Sequence, residues 1–341
     1  MRPINVLIVD DSAFARKVLR EVLQAEPGVE VVGIARDGLD ALSKIEELDP
    51  DVVTLDLVMP HMNGLDTLRA LAGRERPRVI VVCMAGPDSE QALEALAAGA
   101  VDVVHKPTAL ATDRLYELSA ELIFKVHAAA EARQTPVQVT PPSAPLQVVA
   151  NRTAKRDLLV IGASTGGPQA ITRLLKSIPA DFPVPIAVVV HLPAGFTQTF
   201  AERLDHECAL HVVEATQGVR LTPGVVVIAQ GGLHLRVERD ASGFYGSISG
   251  SPPSLHRPSV EQLFSSAAVA APGRVLGVVL TGMGDDGLLG SRELAGTGAE
   301  VLAEAEASCV IYGMPRVICE AGLASGQFRI DDMAAAILAR I

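Results

Sequence analysis

Four ionisable side chains in the first half of the chain stand where they could share one task. Asp10 and Asp11 follow the apolar run INVLIV, Asp56 closes DVVTLD, and Lys106 follows VDVVH. Val- and Ile-rich runs of this kind, alternating with helix-like stretches, read as strands of a parallel sheet. Residues just past the carboxyl ends of such strands converge on one edge. Three carboxylates gathered there repel one another unless a hard cation lies among them. Mg²⁺ suits an oxygen-only set that leaves room for water and a phosphate. A carboxylate beside Mg²⁺ can also accept a phosphoryl group as an acyl phosphate, with Lys106 pairing the new charge. Taken singly, each acid could instead be a solvated helix cap, as Asp11 before SAFARKVL would be.

The second half carries a nucleophile pattern. LLVIGASTGGP runs a buried strand into a Gly-rich turn, and the helix-like QAITRLLKSI follows. Gly162-Ala163-Ser164-Thr165-Gly166 fits G-x-S-x-G, the spacing that holds a serine hydroxyl on a tight strand-to-helix turn. Free N–H groups at the start of the helix would face an oxyanion. No G-K-[ST] follows, so a phosphate-cradling P-loop is unsupported. A serine nucleophile needs a base and a group that orients the base. His191 ends the next strand, in VVVHLPAGF, and Asp286 lies in LTGMGDDG after VLGVVL. The order Ser, His, Asp differs from the Ser, acid, His of α/β-hydrolases. Asp285 is a second candidate for the orienting acid, and His211, His234 and His256 are other candidate bases. His206 and His211 have a loosely metal-like spacing, but residues five apart do not share a helix face. Cys309 reads as a buried structural thiol.

The elements that must position these residues follow from the same alternation. Strands are predicted at 4–9, 29–35, 51–56, 78–84 and 101–105, with helices near 12–25, 38–48, 64–72, 89–98 and 112–126. The second half has strand-like runs at 157–162, 185–191, 274–282 and 299–305, with hairpins and loops between about 221 and 256. Residues 127–153, rich in Pro, Ala, Gln and Thr, read as a linker. The expected division is therefore 1–126, linker 127–153, and 154–341. The 341 residues carry a net charge of −11, with both halves acidic, so a nucleic-acid partner is not expected. Aromatic residues make up 3%, with no Trp, which excludes a base-stacking platform and leaves Val, Leu, Ile and Ala to build the cores. No apolar run is long enough to insert in a membrane. The amino-terminal apolar run is a strand, not a signal peptide, and four scattered cysteines point to reduced thiols in the cytoplasm.

VLIVDDS, VTLDLVMPHMNG and VVHKP, in that order, resemble a response-regulator receiver domain. The resemblance implies a flavodoxin-like, five-stranded parallel α/β fold and phosphorylation of Asp56 by a sensor histidine kinase. It also implies Mg²⁺ on Asp10, Asp11 and Asp56, and Lys106 against the phosphate. Two positions depart from the family. Cys83 stands where strand four usually ends in Ser or Thr, and a thiol is the weaker hydrogen-bond donor. Val103 stands where strand five often carries an aromatic.

IGASTGGP, HLPAGFTQTFAERL, SPPSLHRPSVEQLF, LTGMGDDG and EASCVIYGMPR, again in order, resemble the catalytic domain of the chemotaxis protein-glutamate methylesterase family. This resemblance implies a doubly wound, mostly parallel α/β esterase domain with a hairpin insertion and no cofactor in its site. Ser164 would be the nucleophile, His191 the base and Asp286 its orienting partner, with backbone N–H groups near Thr165 and Met283 forming the oxyanion hole. The implied substrates are glutamyl methyl esters, and glutamines, on methyl-accepting chemoreceptors, acted on after phosphorylation. The segment Ala229-Gln230-Gly231-Gly232-Leu233-His234 departs from the family, which often has a Pro and a more polar turn there.

Overall fold

A computed structural model of the chain describes residues 2–74, 77–84, 89–106, 112–132 and 156–341. Two compact units, Met1–Gln134 and Thr135–Ile341, divide it. The first alternates β1 (Ile4–Val9), α1 (Ala13–Gln24), β2 (Val29–Ala35), α2 (Gly38–Leu48), β3 (Val52–Leu55), α3 (Gly64–Ala70), β4 (Arg78–Cys83), α4 (Ser89–Ala97), β5 (Asp102–His105) and α5 (Thr112–Glu131). All five strands are parallel, in the order β2-β1-β3-β4-β5. The chain leaves β1 in one direction for β2 and returns on its other side for β3. That reversal opens a crevice at the carboxyl ends of β1 and β3, where Asp10, Asp11 and Asp56 lie.

The helix α5 runs five residues past the boundary expected at Val126. His127–Glu131 are helical, Ala128, Ala129 and Ala132 are buried, and Arg78 Nε donates to Ala132 O at 3.0 Å. The run HAAAEA that looked like linker has the high helix propensity of alanine. Farther back on the same helix, the buried Lys125 ammonium donates to Val103 O at 2.6 Å and pairs with Asp102 and Glu121, each at 2.9 Å. The rest of the expected linker, residues 133–153, lies outside the described residues.

The second unit runs β6 (Leu158–Ala163), α6 (Gly167–Leu175), β7 (Ile186–Val190), α7 (Thr197–Glu207), β8 (His211–Glu214), β9 (Val219–Leu221), β10 (Val225–Ile228), β11 (His234–Asp240) and β12 (Gly243–Ser249). It continues with α8 (Val260–Ala270), β13 (Val275–Val279), α9 (Leu288–Gly296), β14 (Glu300–Glu304), α10 (Met314–Glu320), β15 (Gly326–Phe328) and α11 (Ile330–Leu338). Seven strands form a parallel sheet in the order β15-β14-β13-β6-β7-β10-β8. β11 and β12 form the expected hairpin, which β9 extends to a small antiparallel sheet. The stretch 221–256 is not hairpin and loop throughout, however, because β10 returns to the main sheet between β7 and β8. Its VVVI run is buried except at Val225, the mark of a parallel strand covered on both faces.

Val160, Val189, Val260, Phe264 and Val279 are among the buried residues of one core cluster. Four of the eight Phe side chains, Phe182, Phe196, Phe200 and Phe264, are buried in this unit, so the scarce aromatic volume is concentrated here. No helix among the described residues is long and apolar enough to cross a membrane.

Candidate active site

In the second sheet the direction of strand order reverses at β6, with β7 on one side and β13 on the other. Ser164 follows β6, His191 follows β7, and Asp286 sits in the loop between β13 and α9. All three therefore lie past the carboxyl ends of adjacent strands. His191 Nδ1 is 3.0 Å from Ser164 Oγ, and His191 Nε2 is 2.8 Å from Asp286 Oδ2. Burial alone would push the Asp286 carboxyl up. The hydrogen bond and charge of His191, with the N–H groups of Glu261 and Val260, outweigh it and hold the carboxyl well below the ordinary range. Asp286 is thus an ionised acceptor. His191 must carry its proton on Nε2, which leaves the Nδ1 lone pair to accept from the Ser164 hydroxyl.

The turn that presents Ser164 depends on Gly166, whose φ of 77° lies in the left-handed region. The carbonyl of Ser164 accepts from Gly167 N at 2.7 Å, closing the turn, and Ser164 N donates to Thr281 O at 3.0 Å. Gly282 lets a second backbone segment approach. A Cβ there would lie 2.7 Å from Ser164 Cβ and 2.5 Å from Met314 Sδ. Gly282 is fixed by bonds from its N–H to Ile311 O and from Gly313 N and Met314 N to its carbonyl. The backbone at Gly282–Met283 is therefore held against the serine, with the buried Thr165 on the adjoining turn.

Two helix ends support Asp286. The loop before α9 supplies its carboxylate to the start of α8, where it accepts from Ser259 Oγ at 2.8 Å, Val260 N at 2.7 Å and Glu261 N at 3.0 Å. In return Glu261, in the first turn of α8, accepts from Leu289 N at 2.9 Å and from Gly290 N at the start of α9. Each helix end is capped by an acid from the other, and each acid is favoured there by the helix dipole. Sequence reasoning did not find Ser259 and Glu261 as supports. Pro258-Ser259-Val260-Glu261 does carry the signal of a helix start, but not of the partner it faces.

The alternatives left open by the sequence separate cleanly. Asp285 is exposed, and its carbonyl accepts from Leu288 N. His211 Nδ1 bonds Asp205 at 2.8 Å and His206 Nδ1 bonds Glu202 O at 2.7 Å, so these two do not converge on one ion. His234 is buried and donates from Nε2 to Pro252 O at 2.9 Å. Cys309 is buried, and desolvation with the neighbouring Glu304 charge pushes its thiol far up, which leaves it inert. His256 does reach the site. Its ring stacks on His191 with centroids 4.2 Å apart and planes 14° from parallel.

In the first unit, oxygens of Asp10, Asp11 and Asp56 lie within 4.8 Å of one another. Asp10 and Asp56 are buried, and Asp11 is exposed. Lys106 Nζ is 2.6 Å from Asp56 Oδ2 and 3.1 Å from Asp10 Oδ2. Burial, only partly offset by the hydrogen bond from Lys106 and reinforced by the Asp10 charge, pushes Asp56 up to about 6. Burial also raises Asp10. Burial would lower Lys106, but Asp56 and Asp10 together raise it. One ammonium does not neutralise this pocket. The hard oxygen donors and the remaining negative charge fit a divalent cation such as Mg²⁺. The cap of α1 falls to Ser12, whose Oγ accepts from Ala15 N, which leaves the Asp11 carboxylate to the pocket. Cys83 is fully buried at the end of β4, and its carbonyl accepts from Lys106 N at 2.7 Å.

The CheB methylesterase family model matches residues 159–337, and the response regulator receiver domain model matches residues 6–118. A protein-glutamate methylesterase/protein-glutamine glutaminase of Myxococcus xanthus is 54% identical over 98% of this chain and 97% of its own length. One from Bordetella parapertussis is 42% identical over 100% of this chain and 98% of its own. The crystal structure of the Thermotoga maritima CheB methylesterase catalytic domain is 34% identical, with a TM-score of 0.54, over 55% of this chain and all of that one.

Proposed function

This chain belongs to the CheB methylesterase family, with a response regulator receiver domain ahead of the catalytic domain, and from that premise we propose a phosphorylation-activated hydrolase of glutamyl methyl esters on methyl-accepting chemoreceptors. The observation that carries the reading is the unbroken line from Ser164 Oγ through His191 to the ionised Asp286. Ser164 Oγ attacks the ester carbonyl while its proton passes to His191 Nδ1. Asp286 holds the imidazolium that forms. The backbone N–H groups of Thr165 and Met283 receive the oxyanion. The proton on Nδ1 then leaves with methanol, and a glutamyl ester to Ser164 remains. His191 next takes a proton from water, which displaces Ser164 and frees the glutamate side chain. With glutamine the same sequence releases ammonia, which is deamidation.

The proposed control lies in the first unit. The receiver takes in α5 to about residue 132, a connector follows to about 153, and 154–341 is the catalytic domain. A sensor histidine kinase supplies the phosphoryl group to Asp56, and the protein works in the cytoplasm. Mg²⁺ would be held by Asp10, Asp11 and Asp56, and when bound it offsets the charge of the phosphoryl oxygens. Lys106 is placed to pair with that charge. Asp56 must be ionised to accept the group.

Methanol release from methylated receptor, with and without acetyl phosphate and Mg²⁺, tests both halves. The phosphodonor is expected to raise the rate, and an unchanged rate overturns the control. Ser164→Ala should lower turnover about 10⁴-fold or more. Retained turnover in that variant overturns the serine mechanism.

A further inference from the structure

His191 is tied at opposite ends of its ring, by Ser164 at Nδ1 and by Asp286 at Nε2. Two such contacts fix a line through the imidazole. The Cβ attachment completes its plane, but hydrogen bonds bend at little cost, so small torsions about the side-chain bonds still rock the ring. Rocking turns the Nδ1 lone pair away from the serine O–H and from the leaving methanol, which must share one proton in turn. A contact on the ring face resists that rocking, and the His256 ring lies flat against His191 with a centroid distance of 4.2 Å.

Resting on the serine mechanism above, we infer that His256 is a positioning residue for His191: its stacked ring holds the plane in which the base works. The stack supplies two further effects. It covers one face of His191 and keeps water from it. It also lays a π face against the imidazolium that forms during acyl transfer, a favourable cation–π arrangement.

The loop that carries His256 is built to hold that ring. Arg257 O accepts from Gly232 N at 2.9 Å, and Pro252 O accepts from the buried His234 Nε2 at 2.9 Å. Two residues beyond Arg257, Ser259 Oγ donates to Asp286 Oδ1 at 2.8 Å. One loop therefore supports both partners of Ser164, His191 through a ring and Asp286 through a hydroxyl. The segment Ala229–His234, where the sequence departs from the family pattern, gains a task. Its Gly232 N–H and His234 imidazole brace the loop. Gly231 is tied in turn to Thr197 Oγ1 at 2.9 Å and packs against the Pro193–Ala194 backbone just after His191.

The test compares His256→Ala and His256→Phe in the full-length chain, assayed with methylated receptor, acetyl phosphate and Mg²⁺. Ser164→Ala runs alongside as the control for the mechanism itself, and thermal melting checks that each variant folds. His256→Ala is expected to lower kcat about 10²-fold with KM within about twofold, the mark of a misplaced base rather than a lost substrate contact. His256→Phe restores a flat ring with no ring nitrogens and is expected to return kcat to within about threefold of the wild type. The inference is overturned by an unchanged kcat in His256→Ala, or by a rise in KM alone. It is also overturned if folded His256→Phe is as impaired as His256→Ala, because the ring nitrogens would then be what matters. Turnover retained in Ser164→Ala would instead overturn the serine mechanism, so the two failures are told apart.

Discussion

Asp56 and Asp286 are both buried carboxylates past the end of a parallel strand, each bonded to a nitrogen side chain, and they titrate in opposite directions. Asp56 is pushed up to about 6, and Asp286 is held well below the ordinary range. Burial raises both, so the difference lies in the donors. Asp286 accepts from two backbone N–H groups, one hydroxyl and His191. Asp56 has Lys106, a long 3.4 Å bond from Val58 N, and the repelling Asp10 charge beside it. A carboxylate met by four donors is finished, and its task is to hold another group still. A carboxylate left short of donors beside a like charge is unfinished, which suits the cation and the phosphoryl group proposed for it. The same sheet edge thus serves a permanent charge in one unit and a changeable one in the other.

The sharpest way to break this comparison is Asp286→Asn. It should lower kcat about 10⁴-fold, because an amide can leave His191 with its proton on the nitrogen facing Ser164. Methanol release measures it, and a loss under tenfold would mean that Asp286 does not set the tautomer. The stability sign follows as well. A depressed carboxyl contributes stability above its ordinary value of 3.8 that is lost as the pH falls below it, so the catalytic unit should weaken only in acid.

Asp56→Asn should act in the opposite sense. Between the ordinary 3.8 and about 6 the folded receiver keeps a proton that the unfolded chain has released, so stability falls as the pH rises through that window. Above it, removing the charge should stabilise the receiver by about 1–3 kcal/mol, read as a higher melting temperature at pH 7.5 without Mg²⁺. Adding Mg²⁺ should raise the wild-type transition more than that of the variant. A variant that melts lower than the wild type in both conditions would mean that the pocket is not strained.

The smallest expected effect belongs to Glu261→Ala. It removes the acceptor for Leu289 N and Gly290 N and should cost about 1–2 kcal/mol of the catalytic unit's stability. Asp286 would keep its own donors, so kcat should fall much less than in Asp286→Asn. An equal fall would show that the two caps act as one.

The five receiver strands were legible because each is an apolar run bounded by turns, even at the sheet edge, where β2 is only half-buried. β8 and β10 were not, because they run with β9 in a series of short strands without the intervening helices that set off the equally short β3 and β5, and β15 was not, because GQF holds a single large apolar residue. The end of α5 was misplaced because the alanines of HAAAEA look alike in a linker and against a sheet.

The sequence by itself determined the two α/β units, the sheet edge on which each chemistry sits, and the residue types gathered there. Those follow from alternation and from strand ends, which are local properties. Residue spacing alone left Asp285 and Asp286 both open, since adjacent residues on one turn differ in direction; the family resemblance implied Asp286, and the tertiary structure puts its carboxylate 2.8 Å from His191 Nε2. Only the tertiary structure showed His256 lying flat on His191, and Glu261 and Asp286 capping each other's helices. These contacts join residues 25 to 65 positions apart, and no short-range pattern records which distant surface a side chain will meet.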